Sequence, residues 1–371
     1  MLEILQLISI FILSVLLLIT LLNAVFGPYL RYAKSSGTFP KVSVLIPARN
    51  EEDNIARCLD SLLKQDYPNY SITVLDDDSS DATFDIVSDY SKRYETISCH
   101  KGKPLPEDWL GKNWACWQLS KQASGEILLF IDADTWHHEK AISATVFWME
   151  KFKLNMLSAF PQQITKSLLE KIIVPMIDLI LYTLLPLWFT YLFKSPELSA
   201  ANGQWLAIRN KDYQEIGGHR RLKKRVVEDV EMARLCKKSG LKIMTLSGSK
   251  MVFCRMYKDF MGIWSGLSKN FFGLTGNNVF ILLVMLAIMS LAYILPYINI
   301  FFINYSFTIW TALGLVILLR LVLALAYGHD VFISILCIPL TTIIGMIIAV
   351  NSFYQSKFGS VSWKGRKVNL N

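Results

Sequence analysis

Charge is scarce in this chain. Only 18% of its 371 residues are charged, while 53% are hydrophobic, against about a quarter charged in ordinary soluble domains. That shortage excludes a simple soluble enzyme. The six cysteines stand apart at 58, 99, 116, 236, 254 and 337, with no C-x-x-C pair. Their scatter fits a reducing compartment and argues against a structural zinc site. A net charge of +8 comes without aromatic stacking motifs or a nucleic-acid-binding module, so no nucleic-acid partner is expected. Attraction of the basic residues to anionic membrane lipids is the simpler reading. Internal repeats and low-complexity tracts are also missing.

What is abundant is apolar sequence. Ile4 to Phe26 and Phe280 to Phe302 carry no charge, Phe307 to Tyr327 contains only Arg320, and Val331 to Val350 is uncharged but holds Pro339 and Gly345. About 20 apolar residues cross a bilayer, so a membrane protein is expected. The first stretch reads as an anchor: its apolar run is long for a signal peptide, with no basic region before it and no A-x-A site after it. Arg31, Lys34 and Lys41 follow it while Glu3 precedes it. Basic residues favour the cytoplasmic side, which predicts a multi-pass protein of the plasma membrane with its soluble domain in the cytoplasm. The expected organisation is an anchor over 1–30, a cytoplasmic domain over 31–275, and a membrane region with a short tail over 276–371. Leu168 to Phe193 is apolar but interrupted by Lys171, Asp178, Pro175 and Pro186, and is expected to lie at the interface or partly embedded. The basic run Lys364, Arg366 and Lys367 should also be cytoplasmic, so one stretch after 275 should not cross; Val331 to Val350 is the candidate re-entrant element. Arg320 inside a span suggests a functional group near a lipid head, unless it snorkels or pairs with Asp330.

Between the apolar ends, strand and helix patterns alternate. Val42–Ile46, Ile72–Leu75 and Ile127–Ile131 are short β-rich runs; Ile55, Leu59, Leu62 and Leu63 recur at helical spacing, and further helices are predicted near 82–94 and 114–123. Such an order implies an α/β fold with a mostly parallel, covered sheet.

Each of these strands runs into polar cargo: Pro47 to Glu52, then Asp76-Asp77-Asp78, then Asp132-Ala133-Asp134. Ligands bind beyond the carboxyl ends of strands in open α/β sheets. Alternation points Asp132 and Asp134 the same way, and two converging carboxylates repel unless a cation lies between them. Mg²⁺ or Mn²⁺ suits oxygen ligands and commonly joins one or two carboxylates to substrate phosphates; a helix-capping Asp pair is the plainer alternative. His137 and His138 follow directly but lack a partner at ligand spacing, and read as solvated loop residues.

The ordered set "VSVLIPARNEEDNI", "LDDDSSD", "GKNWACWQLS", "IDADT", "NGQWLAIRNKDYQEIGGH" and "VEDVEMARL" resembles family 2 inverting glycosyltransferases with a GT-A nucleotide-sugar-binding fold, over residues 41 to 245. The "PARNEE" start, the "GGH" loop and the late "WKGR" at 363–366 are similar to the membrane-bound branch that contains bacterial carotenoid glycosyltransferases. Ceramide- and hopanoid-type lipid glycosyltransferases are alternatives. The resemblance implies roles position by position. Pro47, Arg49, Glu51, Asp76, Asp77, Lys112 and Asp132 would bind the nucleotide-sugar, with Asp77 at the uracil end. Asp132 and Asp134 would hold the metal. The family usually has Gly where this chain has Asp78. Asp229 of the Glu228-Asp229 pair matches the catalytic base, which an inverting transfer needs on the face opposite the leaving group. Solvated acids on an amphipathic helix ended by Gly240 are the plainer reading of that pair.

On the acceptor side the resemblance implies Asn202, Gly203, Gln204 and Trp205, then Gly218 and His219 in a glycine-permissive loop. The Q-x-x-R-W motif of processive polysaccharide synthases is missing; Trp264 and Lys269 in "GIWSGLSKNFFG" are possible substitutes, or interfacial anchors. The expected activity is transfer of one sugar, glucose first, from a UDP-sugar to a lipid-soluble acceptor such as a carotenoid acid or another polyprenoid lipid. A polysaccharide synthase and a non-catalytic scaffold that keeps the fold are the competing readings.

Overall fold

The structure, a computed structural model, describes residues 2–31, 37, 39–302, 307–359, 361–363 and 366–368. Lys34, Lys364 and Gly365, singled out above, lie outside the described residues. Along the chain come α1 (Leu2–Phe26), β1 (Val42–Ala48), α2 (Ile55–Leu62), β2 (Tyr70–Asp76), α3 (Thr83–Arg93), β3 (Ile97–Lys101), α4 (Gly111–Gln122), β4 (Ile127–Phe130), β5 (Thr135–His137), α5 (Ala141–Lys151) and β6 (Met156–Gln163). Then follow α6 (Leu168–Ile173), α7 (Pro175–Leu184), α8 (Phe189–Leu192), β7 (Leu206–Arg209), α9 (Asn210–Glu215), α10 (Glu228–Lys238) and β8 (Ile243–Cys254). The last part holds α11 (Phe260–Leu274), α12 (Val279–Tyr293), α13 (Leu295–Phe302), α14 (Phe307–Tyr327), α15 (Val331–Leu336), α16 (Ile338–Phe358) and the ribbon β9 (Val361–Trp363) and β10 (Arg366–Val368).

The chain forms two compact units. One contains residues 28–162 and 187–256; the other contains 1–27, 163–186 and 257–371. The first is an α/β unit on one mixed sheet of order β3-β2-β1-β4-β7-β6-β8-β5. The half β3-β2-β1-β4 is parallel, as the alternation of strands and helices implies, while β4–β7, β6–β7 and β5–β8 are antiparallel. β4 is apolar throughout, and β1 and β2 are mostly so, because both of their faces are covered. Val44, Ile46, Val74 and Leu129 pack on one face with Ile55 and Leu59 of α2, whereas Leu45, Leu75, Leu128 and Phe130 pack on the other with Ala115 and Leu119 of α4. Register then sets the site: Ala48 pairs with Asp76 and Leu45 with Phe130, so all three polar strand ends emerge along one edge.

His137 is not the solvated loop residue expected. It ends β5, is buried, and uses both ring nitrogens, on Ser61 Oγ at 3.0 Å and Thr135 Oγ1 at 2.9 Å. Burial pushes its pKa down to about 3, so it stays neutral and serves the core.

The second unit is helical. Among the described residues three helices are long and apolar enough to cross a membrane, Glu3–Phe26, Phe307–Tyr327 and Ile338–Phe358, or four spans if a bent pair counts as one. Their outward faces expose Phe11, Phe307, Leu325 and Ile347, which water would penalise and lipid would not. Two expectations about this unit change. Val331 to Val350, expected to be re-entrant or interfacial, falls on two helices: the chain breaks at Cys337, before Pro339, and Ile338 starts a helix long and apolar enough to span. The stretch from 280 to 302 breaks at Ile294, ahead of Pro296, and the sharply bent element is Phe260–Leu274 with Val279–Tyr293, at 115°. Segment 168–193 is three short helices. A capping box of Ser167 and Glu170 opens α6, and Pro175 at the start of α7 separates it from α6. Arg320 neither snorkels nor pairs with Asp330; it is buried, and Asp330 takes Lys171 at 2.9 Å.

Gly218 marks a tight spot in the α/β unit. Its φ is +47°, and a Cβ there would stand 2.2 Å from Cζ of Tyr213. Gly218→Ala is expected to cost about 1–3 kcal/mol through overpacking, seen as a fall in Tm of about 5 °C in a thermal melt; an unchanged Tm would show that the loop relaxes freely.

Candidate active site

The edge above β1, β2 and β4 is built from loops that fix one another. Asn50 donates its N–H to Ser79 Oγ at 3.0 Å, and its side-chain oxygen accepts Ser80 N–H at 2.9 Å. Glu51 N–H reaches Thr83 Oγ1 at 2.7 Å, Glu52 N–H reaches Asp81 Oδ2 at 3.1 Å, and Glu52 Oε2 accepts Ala82 N–H at 3.0 Å. Arg49 closes the seam by donating to the carbonyls of Asp77 and Asp78, at 2.5 and 2.6 Å. Asp78 sits at φ +61°, a left-handed conformation that Asp tolerates better than most side chains. Asp76 and Asp77 are buried. Asp76 Oδ2 accepts Ser79 N–H at 3.3 Å, while its Oδ1 is buried with no hydrogen-bond partner among the described residues, an acceptor held ready for a donor.

Lys112, on the first turn of α4, joins this edge to the Glu228-Asp229 pair. Its ammonium lies 2.8 Å from Asp132 Oδ1 and 2.9 Å from Glu228 Oε1. Burial opposes the charge, but Asp132 and Glu228 outweigh it and hold the Lys112 pKa well above the usual range. Asn113 beside it donates to the carbonyls of Leu222 and Arg225 at 2.6 and 2.9 Å, tying down the basic loop that leads into α10. Asp229 opens α10, where acids suit the helix N-terminus. Its carboxylate accepts Gly203 N–H at 2.9 Å and Val230 N–H at 2.8 Å. Burial, then repulsion from Glu228, raises the Asp229 pKa to about 6, against the pull of Lys112 and the two amides. A carboxyl poised there is suited to proton transfer near neutral pH.

The segment 202–204 runs between the two acid groups. Gly203 holds Asp229, and Gln204 donates to Asp134 Oδ1 at 3.4 Å and to Cys254 Sγ at 2.8 Å. A Cβ on Gly203 would stand 2.9 Å from Lys112 Nζ, so a larger residue there would push the ammonium from its present place. Burial raises the pKa of the thiols of Cys116 and Cys58, which lie behind these acids. Contacts tie the loop at 49–52 to 77–83, and link Lys112, Asp132, Asp134, Gly203, Gln204, Glu228 and Asp229 in a second network.

Among the described residues no group of three or more His, Cys, Asp or Glu side chains is arranged to hold a metal. The Asp132–Asp134 pair still suits a hard cation, because such ions commonly take one or two carboxylates and complete their shell with substrate phosphates and water. One of the two, Asp132, already has the ammonium of Lys112 against it.

Other expected residues are placed differently. Asn202 is a scaffold, its backbone bonded to Ser158 Oγ and its side chain to Gln204 N–H at 2.8 Å. Trp205 is fully buried, with its indole N–H on Thr145 Oγ1 at 2.9 Å. His219 is buried against Phe130 and bonded to the Tyr213 hydroxyl at 2.8 Å; burial and the nearby Lys112 push its pKa down to about 3. Both side chains thus stand behind the surface rather than on it. Trp264 and Lys269 lie on α11, in the helical unit. Asn113 is the positioning residue that sequence reasoning undervalued: a buried Asn in "GKNWA" gives no signal of its carbonyl partners 109 and 112 residues away.

Residues 43–185 match the family described as Glycosyl transferase family 2. The match covers the first half of the α/β unit and the start of the helical segment that follows it, and makes the chain similar to that family there. The chain resembles 4,4'-diaponeurosporenoate glycosyltransferases. It is 24% identical over 343 residues to that of Staphylococcus aureus strain USA300, covering 89% of this chain and 88% of the relative. It is 27% identical over 229 residues to that of Staphylococcus haemolyticus strain JCSC1435, covering 60% of this chain but only 58% of the relative. In fold it is similar to mannosyltransferase PcManGT from Pyrobaculum calidifontis, a structure in complex with GDP-Man and Mn²⁺, with a TM-score of 0.54, 16% identity, and coverage of 95% of this chain and 99% of that one.

The raised Asp229 pKa has a consequence for stability. A carboxyl whose folded pKa exceeds its unfolded value of 3.8 favours folding below that value and loses the benefit as pH rises through about 6. Asp229→Asn removes the titration. Its Tm relative to the unaltered protein is expected to rise steadily between pH 4 and pH 7, measured by melts in one buffer series; a falling difference would contradict the raised pKa.

Proposed function

We propose that the protein transfers a single sugar, glucose as the first candidate, from a UDP-sugar to a lipid-soluble acceptor at the cytoplasmic face of the plasma membrane, with inversion at the anomeric carbon. The observation that carries this reading is Asp229, pinned by Gly203 N–H and Val230 N–H beside the Lys112 bridge, with its pKa raised to about 6. The acceptor class, a carotenoid acid or similar polyprenoid lipid, is supported by the resemblance to the staphylococcal enzymes and by three helices of membrane-spanning length. Two crossings after residue 256, by α14 and α16, would return Arg366 and Lys367 to the side of Arg31 and Lys41, the cytoplasmic side by the basic-residue rule.

In this mechanism the loop of Pro47, Arg49 and Glu51 and the acids Asp76 and Asp77 receive the nucleoside, with the unpartnered Oδ1 of Asp76 available to a base N–H. Lys112 faces the diphosphate. A divalent cation such as Mn²⁺ or Mg²⁺, held by Asp134 and Asp132 together with that diphosphate, would neutralise charge on the departing UDP. Asp229 takes the proton of an acceptor hydroxyl as the new bond to the anomeric carbon forms and the bond to UDP breaks on the opposite face. With an acceptor already ionised, Asp229 orients it. Glu228 keeps Lys112 in place and keeps Asp229 basic. Absence of Q-x-x-R-W supports one transfer per acceptor.

UDP release from a UDP-sugar in lipid extract with Mn²⁺ tests the reading. Asp229→Asn is expected to lower kcat by about 10²–10⁴-fold with little change in donor KM; equal rates in both proteins, or none in either, would refute it. The rate should fall as pH drops through about 6, and Glu228→Gln should move that limb to lower pH by removing a negative neighbour. Asp134→Ala should weaken UDP binding in the presence of Mn²⁺ but leave binding in chelator unchanged, by titration calorimetry; identical affinities with Mn²⁺ would remove Asp134 from the metal.

A further inference from the structure

Arg320 stands near the middle of α14, a helix of spanning length, and is 1% exposed. Its Nε donates to the carbonyl of Ser334 at 3.1 Å, but among the described residues Nη1 and Nη2 have no hydrogen-bond partner, and neither does the buried hydroxyl of Ser334. The ionisable groups that feel its charge are Tyr293, Tyr297, Asp178 and Cys337. Asp178 is the one carboxylate among them, and its Oδ2 is engaged by His329 Nε2 at 2.8 Å. Among the described residues the two terminal nitrogens of Arg320 therefore reach no acceptor. An unpaired guanidinium in an apolar interior is costly, and its planar fork of N–H groups matches two oxygens of a carboxylate or phosphate.

From this imbalance we infer that the helical unit holds a binding site for the oxyanion head, carboxylate or phosphate, of a membrane amphiphile, gripped by Nη1 and Nη2 of Arg320 and the Ser334 hydroxyl. The lipid source follows from place: these donors are enclosed among helices whose outer faces are apolar, where a chain-bearing anion partitions and a free ion does not. Asp178 Oδ2 is bonded to His329 Nε2, which occupies that carboxylate oxygen and leaves the fork of Arg320 to take up the anion. The site is independent of the proposed transfer reaction, and its test needs no turnover.

The full chain in phosphatidylcholine nanodiscs is titrated with radiolabelled palmitate, with phosphatidic acid, and with hexadecanol as the uncharged control. Palmitate and phosphatidic acid are expected to bind saturably and hexadecanol not to. Arg320→Gln should lose roughly tenfold or more in affinity, the loss expected for a charge-assisted hydrogen bond, and Arg320→Lys should lose less. Ser334→Ala, which removes one small hydroxyl and keeps the fold intact, should weaken binding a few-fold even where Arg320 variants fail to fold. Asp178→Asn should leave binding intact or tighten it. Equal binding of palmitate and hexadecanol, or an affinity unmoved by both Arg320→Gln and Ser334→Ala, overturns the site. Loss of binding in Asp178→Asn overturns it too, by making Arg320 half of an internal ion pair. Displacement of palmitate by equimolar inorganic phosphate overturns the lipid source.

Discussion

One ammonium group organises the catalytic edge. Lys112 lies within 3 Å of carboxylates contributed by Asp132 and Glu228, which are 96 residues apart in the sequence. Without a cation between them these acids would repel across a partly desolvated space, and the segment 202–204 could not run past Asp229. The bridge is only half enclosed, so solvent screens it, and its value is positional rather than a large share of stability. It sets the distance between Asp132 and the Glu228-Asp229 pair, the spacing on which the proposed transfer relies.

Around that bridge the sequence is locally simple and globally demanding. Apolar strands end in acids because their register lines up Ala48 with Asp76 and Leu45 with Phe130. Glycine is needed where backbone lies against a packed ring, as at Gly218 against Tyr213. Asp229 illustrates the cost of function: a carboxylate pushed towards neutrality by burial and by Glu228 is a poor choice for stability and a good one for a base.

Much of this was legible in the sequence. The parallel strands, the three acid clusters and the pairing of Glu228 with Asp229 announce themselves by apolar runs ending abruptly in charge, a pattern carried by neighbouring residues. The rest depends on contacts distant in sequence. His137 looks like a loop residue because its partners, Ser61 and Thr135, say nothing about an imidazole; Trp205 and His219 look like ligands' neighbours, yet the core claims them through Thr145 and Tyr213. Antiparallel strands β5 to β8 carry weaker signals than the parallel ones. In the helical unit, hydropathy finds apolar length but not continuity: Pro296 and Pro339 lie in similar stretches, yet one follows a break at Ile294 that leaves two short helices, and the other follows a break at Cys337 that starts a long one.

The central claim is spatial: residues from five stretches of chain enclose a single nucleotide. Hydrogen–deuterium exchange with and without UDP and Mn²⁺ addresses it most directly. The account predicts simultaneous protection at 47–53, 76–83, 110–113, 202–204 and 228–230. Protection confined to one or two of these, with 202–204 and 228–230 unaffected, would contradict it.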